Sequence, residues 1–196
     1  MPHPILKRKY WIFDMDGTLT LAQHDFIAIR NALGLPSHQT ILESLAELPV
    51  AEAAPKRAQL QDIELEIASQ AQAAEGSHEL LDYLLKQQAY IGILTRNSLQ
   101  NIEVTLRSAG LWDYFSVDNL VSRDCVAPKP HPAGIERLLT QWQGQPHDAV
   151  MVGDYLYDLQ AGRAAQTSTL YIDPSSKFNH RAYADVCITQ LHELLS

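Results

Sequence analysis

Tyr10-Trp11-Ile12-Phe13-Asp14-Met15-Asp16-Gly17-Thr18-Leu19-Thr20 is the stretch that decides the fold. Its first four residues form an apolar run, mostly aromatic, with the length and composition of a buried strand. A strand in a parallel sheet is covered on both faces and reads as a continuous apolar run, whereas a half-exposed strand alternates. Open α/β sheets bind ligands in the crevice beyond the carboxyl ends of their strands. Asp14 and Asp16 stand at that end, where their charges repel unless a cation or a proton intervenes. Gly17 lets the chain turn away at little steric cost. An isolated Asp-x-Asp-Gly is equally an ordinary turn with solvated acids, so the rest of the chain has to decide between the two.

Three later stretches bear on it. Ile91-Gly92-Ile93-Leu94-Thr95-Arg96-Asn97 is a second apolar run, ending in a hydroxyl. Ala127-Pro128-Lys129-Pro130-His131-Pro132 holds one lysine in an extended, proline-fixed segment. Ala149-Val150-Met151-Val152-Gly153-Asp154 is a third apolar run ending in an acid, with Asp158 four residues on. Strand-like runs alternating with helical patterns predict βαβ units and an α/β fold, a doubly wound, mostly parallel sheet.

Taken in order, Asp-x-Asp-Gly-Thr, a strand-end Thr, a Lys before a helix and Gly-Asp-x-x-x-Asp resemble the haloacid dehalogenase-like (HAD) superfamily, subfamily IA, phosphoglycolate phosphatase-like branch. Any one motif is weak; four in sequence over Asp14–Asp158 are specific. The resemblance implies a Rossmann-like core from residues 1–20 and 76–196, with a small all-helical cap inserted after the first strand at 21–75. The insertion has helical spacing throughout: Phe26, Ile29 and Leu33 on one face, then Leu60, Ile63, Ile67, Ala71 and Ala74 from about Ala53 onward. Gly76–Gln88 reads as an amphipathic helix with Leu80, Leu81, Leu84 and Leu85 inward. Helices are expected over Asn97–Ala109, Pro132–Gln143 and Tyr155–Ala165, with final edge strands at Thr167–Ile172 and Asp185–Ile188.

If the strand ends meet, carboxylate oxygens of Asp14 and Asp154 suit Mg²⁺, a hard cation that takes a few carboxylates, waters and a substrate phosphate. The resemblance makes Asp14 the nucleophile of an aspartyl-phosphate route and Asp16 the general acid and then base, its backbone carbonyl also meeting the metal. Lys129 would neutralise Asp14 and a phosphate oxygen. Thr95 would donate its hydroxyl, with the Arg96 and Asn97 backbone N–H groups at a helix N-terminus, unless Thr95 is merely that helix's N-cap. Asp158 would ligate the metal through water or orient Lys129, against the alternative of a first-turn acid answering the helix dipole. Among cap residues, Arg30 could pair with a substrate anion as readily as sit in solvent, while His24 and Asp25 read as a solvated helix face. His131, His147 and His180 lack ligand spacing and read as surface residues.

These residues predict a Mg²⁺-dependent phosphatase acting on a small phosphorylated metabolite. A sugar phosphomutase or a non-catalytic phosphate-binding protein of the same fold are the alternatives. Dehalogenase chemistry has no use for Asp16 as an acid, and phosphonate cleavage would want a desolvated cap lysine, for which Lys56 is the sole candidate. The net charge of −8 argues against nonspecific nucleic-acid binding. Cys125 and Cys187 have no metal or redox spacing, and the N-terminus lacks the apolar core of a signal peptide, so a cytoplasmic protein with reduced thiols is expected, with no membrane partner. A monomer or weak homodimer is expected.

Overall fold

A computed structural model describes residues 2–196. Its centre is a parallel six-stranded sheet formed by β1 (Tyr10–Phe13), β2 (Tyr90–Leu94), β3 (Leu120–Val121), β4 (Ala149–Gly153), β5 (Ser168–Ile172) and β6 (Val186–Ile188). The order across the sheet is β3-β2-β1-β4-β5-β6. The chain moves outward from β1 to β3, then returns to the other side of β1, so the switch in direction falls between β1 and β4. That crevice is where ligands of doubly wound sheets bind.

Successive side chains of a strand point to opposite faces, and β1 obeys this. Trp11 and Phe13 join one buried cluster with α4 (Ser77–Lys86) and α5 (Leu99–Ser108), through Leu80, Leu81, Ile102 and Leu106. Tyr10 and Ile12 join the opposite cluster with α6 (Ala133–Trp142) and α7 (Leu156–Ala164), through Ile135, Leu138 and Ala161. The doubly wound α/β expectation therefore holds.

The insertion carries α1 (Phe26–Ala32), α2 (Ile41–Glu47) and α3 (Val50–Ala68). These helices pack round a third cluster of Ile29, Leu33, Leu35, Ile41, Leu45 and Leu60, separate from the two that cover the sheet. Its ends are pinned together at the sheet edge: Leu21 N–H donates to Gln72 O at 3.0 Å and Ala74 N–H to Leu19 O at 2.9 Å.

Several local expectations need correction. Ala71 and Ala74 lie past the end of α3, and Ala71 packs on the sheet-covering core instead. Phe26 and Leu85 are exposed, because their helices are short and bury only a narrow stripe. Helix α5 begins at Leu99 with Ser98 as its cap, the Ser98 hydroxyl accepting from Asn101 N–H at 3.3 Å, so Thr95 is not the N-cap. Strand β5 is interior, and β6 alone forms that edge. His180 is not a plain surface residue: its ring packs on Tyr155 and Tyr171. No helix among the described residues is long and apolar enough to cross a membrane.

Candidate active site

Register aligns the acids. Phe13 pairs with Val152 across β1 and β4, and the Asp14 N–H donates to Val152 O at 2.8 Å, so Asp14 and Asp154 leave the ends of adjacent strands one residue apart in register. Asp158 follows in the first turn of α7, where one carboxylate oxygen accepts from Tyr155 N–H at 3.0 Å. One oxygen from each of Asp14, Asp154 and Asp158 lies within 4.8 Å of the others. Gly17 makes this proximity possible. It sits at φ +77°, and a Cβ there would fall 2.2 Å from an Asp154 carboxylate oxygen. The acidic cradle thus needs a residue with no side chain at this turn.

Lys129 enters from the loop before α6. It is buried, and its Nζ lies 2.6 Å from both Asp14 Oδ1 and Asp158 Oδ1. Burial alone would depress the Lys129 pKa, but Asp14 and Asp158 outweigh it and hold it above its ordinary value. One ammonium does not neutralise three carboxylates. Burial, then repulsion from Asp14 and Asp158, pushes Asp154 up to about 8. Burial also raises Asp158 to about 6 against the pull of Lys129. A carboxyl so reluctant to ionise lacks a compensating charge, and a hard divalent cation on these oxygens fits that deficit.

Asp16 points elsewhere. Its carboxylate accepts from the Asn97 side-chain amide and faces His24 Nδ1 at 3.8 Å. It is not among the three clustered acids, so among the predicted metal residues its carboxylate stands apart. Burial raises Asp16 to about 6, with His24 opposing and Asp14 reinforcing the shift. The two acids of the first motif, identical in the sequence, thus have different surroundings: Asp14 is held by a lysine, Asp16 by an amide and an imidazole.

Thr95 is buried at the end of β2, and its hydroxyl accepts from Asn97 N–H at 3.3 Å. That N–H is therefore already engaged, and Asn97 acts here through its side chain. Arg96 reaches Glu43 of α2 at 2.6 Å and lies over the Tyr157 ring. The four acids, Lys129, Thr95, Arg96 and Asn97 line one cavity of about 500 Å³ between the sheet's carboxyl edge and the helical insertion.

The insertion contributes Phe26, Ile29, Arg30, Thr40, Ile41 and Leu60 to the same cavity. His24, read from the sequence as solvated, instead turns inward and stacks on Phe26. Asp25 does what its residue type suggests and caps α1, accepting from Ala28 N–H at 2.9 Å. Tyr155 and Tyr157 were not singled out in the sequence, although their position between Asp154 and Asp158 offered a signal. Glu64 and Arg123 were also missed. They form a two-pronged ion pair across insertion and core, at 2.9 and 3.0 Å, with Asn101 donating to Glu64 at 2.9 Å. No local pattern marks that pair, since its partners are far apart in the chain. Lys56 donates to Leu33 O at the end of α1, a structural role.

The profile of the haloacid dehalogenase-like hydrolases matches residues 23–172. The chain belongs to this family. The HAD profile covers the Thr95, Lys129 and Asp154 stretches, while Asp14 and Asp16 lie just ahead of it and are tied to it by the strand pairing above. An uncharacterised hydrolase of Saccharomyces cerevisiae is 29% identical over 94% of this chain and 88% of its own length. The pyrophosphatase PpaX of Bacillus pumilus is 34% identical over 54% of this chain, and this chain spans only half of that protein's length. A hydrolase from Pseudomonas syringae superposes over 96% of both chains with a TM-score of 0.80 at 22% identity, which places this HAD hydrolase in the same fold.

Proposed function

We propose that this protein is a cytoplasmic, Mg²⁺-dependent phosphatase that hydrolyses a small phosphomonoester through an aspartyl-phosphate on Asp14. Residues 21–75 act as a cap over the active site. The observation that carries the reading is the division of labour between the first two acids. Asp14 is fixed by a buried lysine at 2.6 Å in a metal-ready cluster, while Asp16 lies outside it with a raised pKa.

Asp14, Asp154 and the Asp16 backbone carbonyl would hold Mg²⁺, with Asp158 anchoring Lys129 and reaching the metal through water. Bound there, the cation offsets the repulsion between a carboxylate nucleophile and a phosphate dianion. Lys129 holds one Asp14 oxygen, leaving the other to attack phosphorus as the bond to the leaving alcohol breaks. Asp16, neutral below about pH 6, gives its proton to the departing oxygen. The resulting carboxylate takes a proton from water, which attacks the acyl phosphate and releases inorganic phosphate with Asp14 restored. Asn97 and His24 orient Asp16 for both transfers. Thr95 and the Arg96 backbone N–H would meet the phosphoryl oxygens, as Lys129 does from the other side.

A panel of phosphomonoesters tests this, with and without Mg²⁺. Inorganic pyrophosphate belongs on the panel because of the pyrophosphatase relatives, and a hexose 1-phosphate to separate a mutase from a hydrolase. Phosphate release that requires the cation and vanishes in Asp14→Asn is expected. Cation-independent release, or release undiminished in Asp14→Asn, would overturn the reading.

A further inference from the structure

Residues 96–98, between β2 and α5, are held from outside the site. Asn97 donates its side-chain amide to Asp16, and its backbone carbonyl accepts from the Arg123 N–H at 3.0 Å. The Arg123 guanidinium donates to the Arg96 carbonyl at 3.4 Å. The same guanidinium forks onto both carboxylate oxygens of Glu64 in α3, at 2.9 and 3.0 Å, and reaches Gln61 Oε1 at 3.3 Å. Gln61 in turn donates at 3.2 Å to Ser98 Oγ, the hydroxyl that caps α5. Arg96 is gripped separately, by Glu43 of α2 at 2.6 Å. Two helices of the insertion thus clasp the segment that carries Asn97, chiefly through Arg123, which follows β3 and does not itself line the cavity.

Stability does not account for this arrangement. The Glu64 and Arg123 side chains are almost enclosed, and a buried ion pair is often no more stabilising than apolar residues of similar volume. The insertion already has its own apolar core. What a two-pronged pair supplies is direction: a guanidinium locked in plane by a carboxylate presents its N–H groups at fixed angles. One of those groups reaches the backbone immediately before Asn97.

We infer that Arg123 and Glu64 are positioning residues for proton transfer: their clasp sets the Asn97 amide, and through it the direction in which Asp16 presents its proton. This rests on the reading of Asp16 as general acid and adds two residues to it. Neither touches the substrate. A small misplacement transmitted from outside the reacting groups is enough to slow a step that depends on alignment.

The test pairs Glu64→Gln with Arg123→Met, which leaves no unpaired buried charge and keeps an acceptor for the Asn101 amide. If that variant does not unfold cooperatively in urea, Arg123→Lys replaces it, keeping the charge but not the fork, with the same direction expected. Values of kcat/KM are measured over phosphomonoesters from nitrophenyl to plain alkyl. A nitrophenolate leaves without a proton and an alkoxide does not, whereas phosphate binding is common to the series and cancels in the ratio. The alkyl esters should lose about tenfold or more relative to the nitrophenyl ester, a part of the roughly 10²–10⁴-fold that a general acid supplies. In an Asn97→Ala background the paired substitution should add little, because both act through one amide. An equal loss across the series, or the full loss repeated in that background, would overturn the inference. Asp16→Asn on the same series tests the underlying reading separately: if it spares alkyl esters as much as nitrophenyl esters, the acid assignment fails by itself. In that case, or if no ester is turned over, the NMR signals of the Asn97 side-chain amide decide the clasp alone. Their response to Asp16→Asn should shrink in the paired variant; an undiminished response overturns the clasp.

Discussion

Lys129→Met isolates the electrostatic core of the site. Methionine matches the length and apolar stem of the lysine, and the position is 3% exposed, so the change removes the charge with little loss of packing. It also removes two contacts of 2.6 Å, one to Asp14 and one to Asp158. Breaking a buried ion pair from one side costs about 3–5 kcal/mol, because the other partner is left charged and unpaired. Here the orphaned partners can escape by taking up protons. Asp154 and Asp158 already sit near 8 and 6 with the lysine present, and without it both rise further. An acid whose folded pKa is raised imposes no penalty below its unfolded value near 3.8. The penalty grows as pH climbs and is complete above the folded pKa. The variant should therefore lose most stability, about 3–5 kcal/mol, near pH 8 and much less near pH 5. Urea unfolding in the presence of a chelator, at several pH values across that window, measures the gap between wild type and variant. A gap that is the same at both ends, or that widens toward acid, would refute the reasoning.

Three further outcomes follow from the same geometry. Because Asp154 holds its proton up to about 8, Mg²⁺ binding should release protons and weaken as pH falls below that value, which calorimetry in buffers of differing ionisation enthalpy detects. Gly17→Ala forces a Cβ to within 2.2 Å of the Asp154 carboxylate at φ +77°; we expect about 1–2 kcal/mol of backbone strain and a drop in Mg²⁺ affinity of about tenfold or more, read by unfolding and by metal titration. Glu64 and Arg123 tie α3 to the core with side chains only 10% and 15% exposed, so a Glu64→Gln, Arg123→Met double-mutant cycle should give a coupling of about 1–3 kcal/mol, and Glu64→Gln should speed hydrogen exchange along α3.

The sequence by itself determined the sheet and the identity of its chemistry-bearing ends. The run Trp11–Phe13 has the length and composition of a strand buried on both faces, and Asp14, Thr95 and Asp154 each end such a run, because apolar continuity is a local property that needs no partner to be read. Lys129 was legible for a similar reason, as a lone charge between prolines. Which acid faces which charge was not legible from residue type alone; the Lys129–Asp14 pairing was expected only through the family resemblance. Asp14 and Asp16 are the same residue type two positions apart, and only the parallel register and the turn at Gly17 set one against Lys129 and the other against Asn97 and His24. His24, Glu64 and Arg123 escaped for the same cause: their roles depend on how the helical insertion lies on the sheet. That placement is fixed by contacts between residues tens of positions apart, so it exists only once the chain has folded.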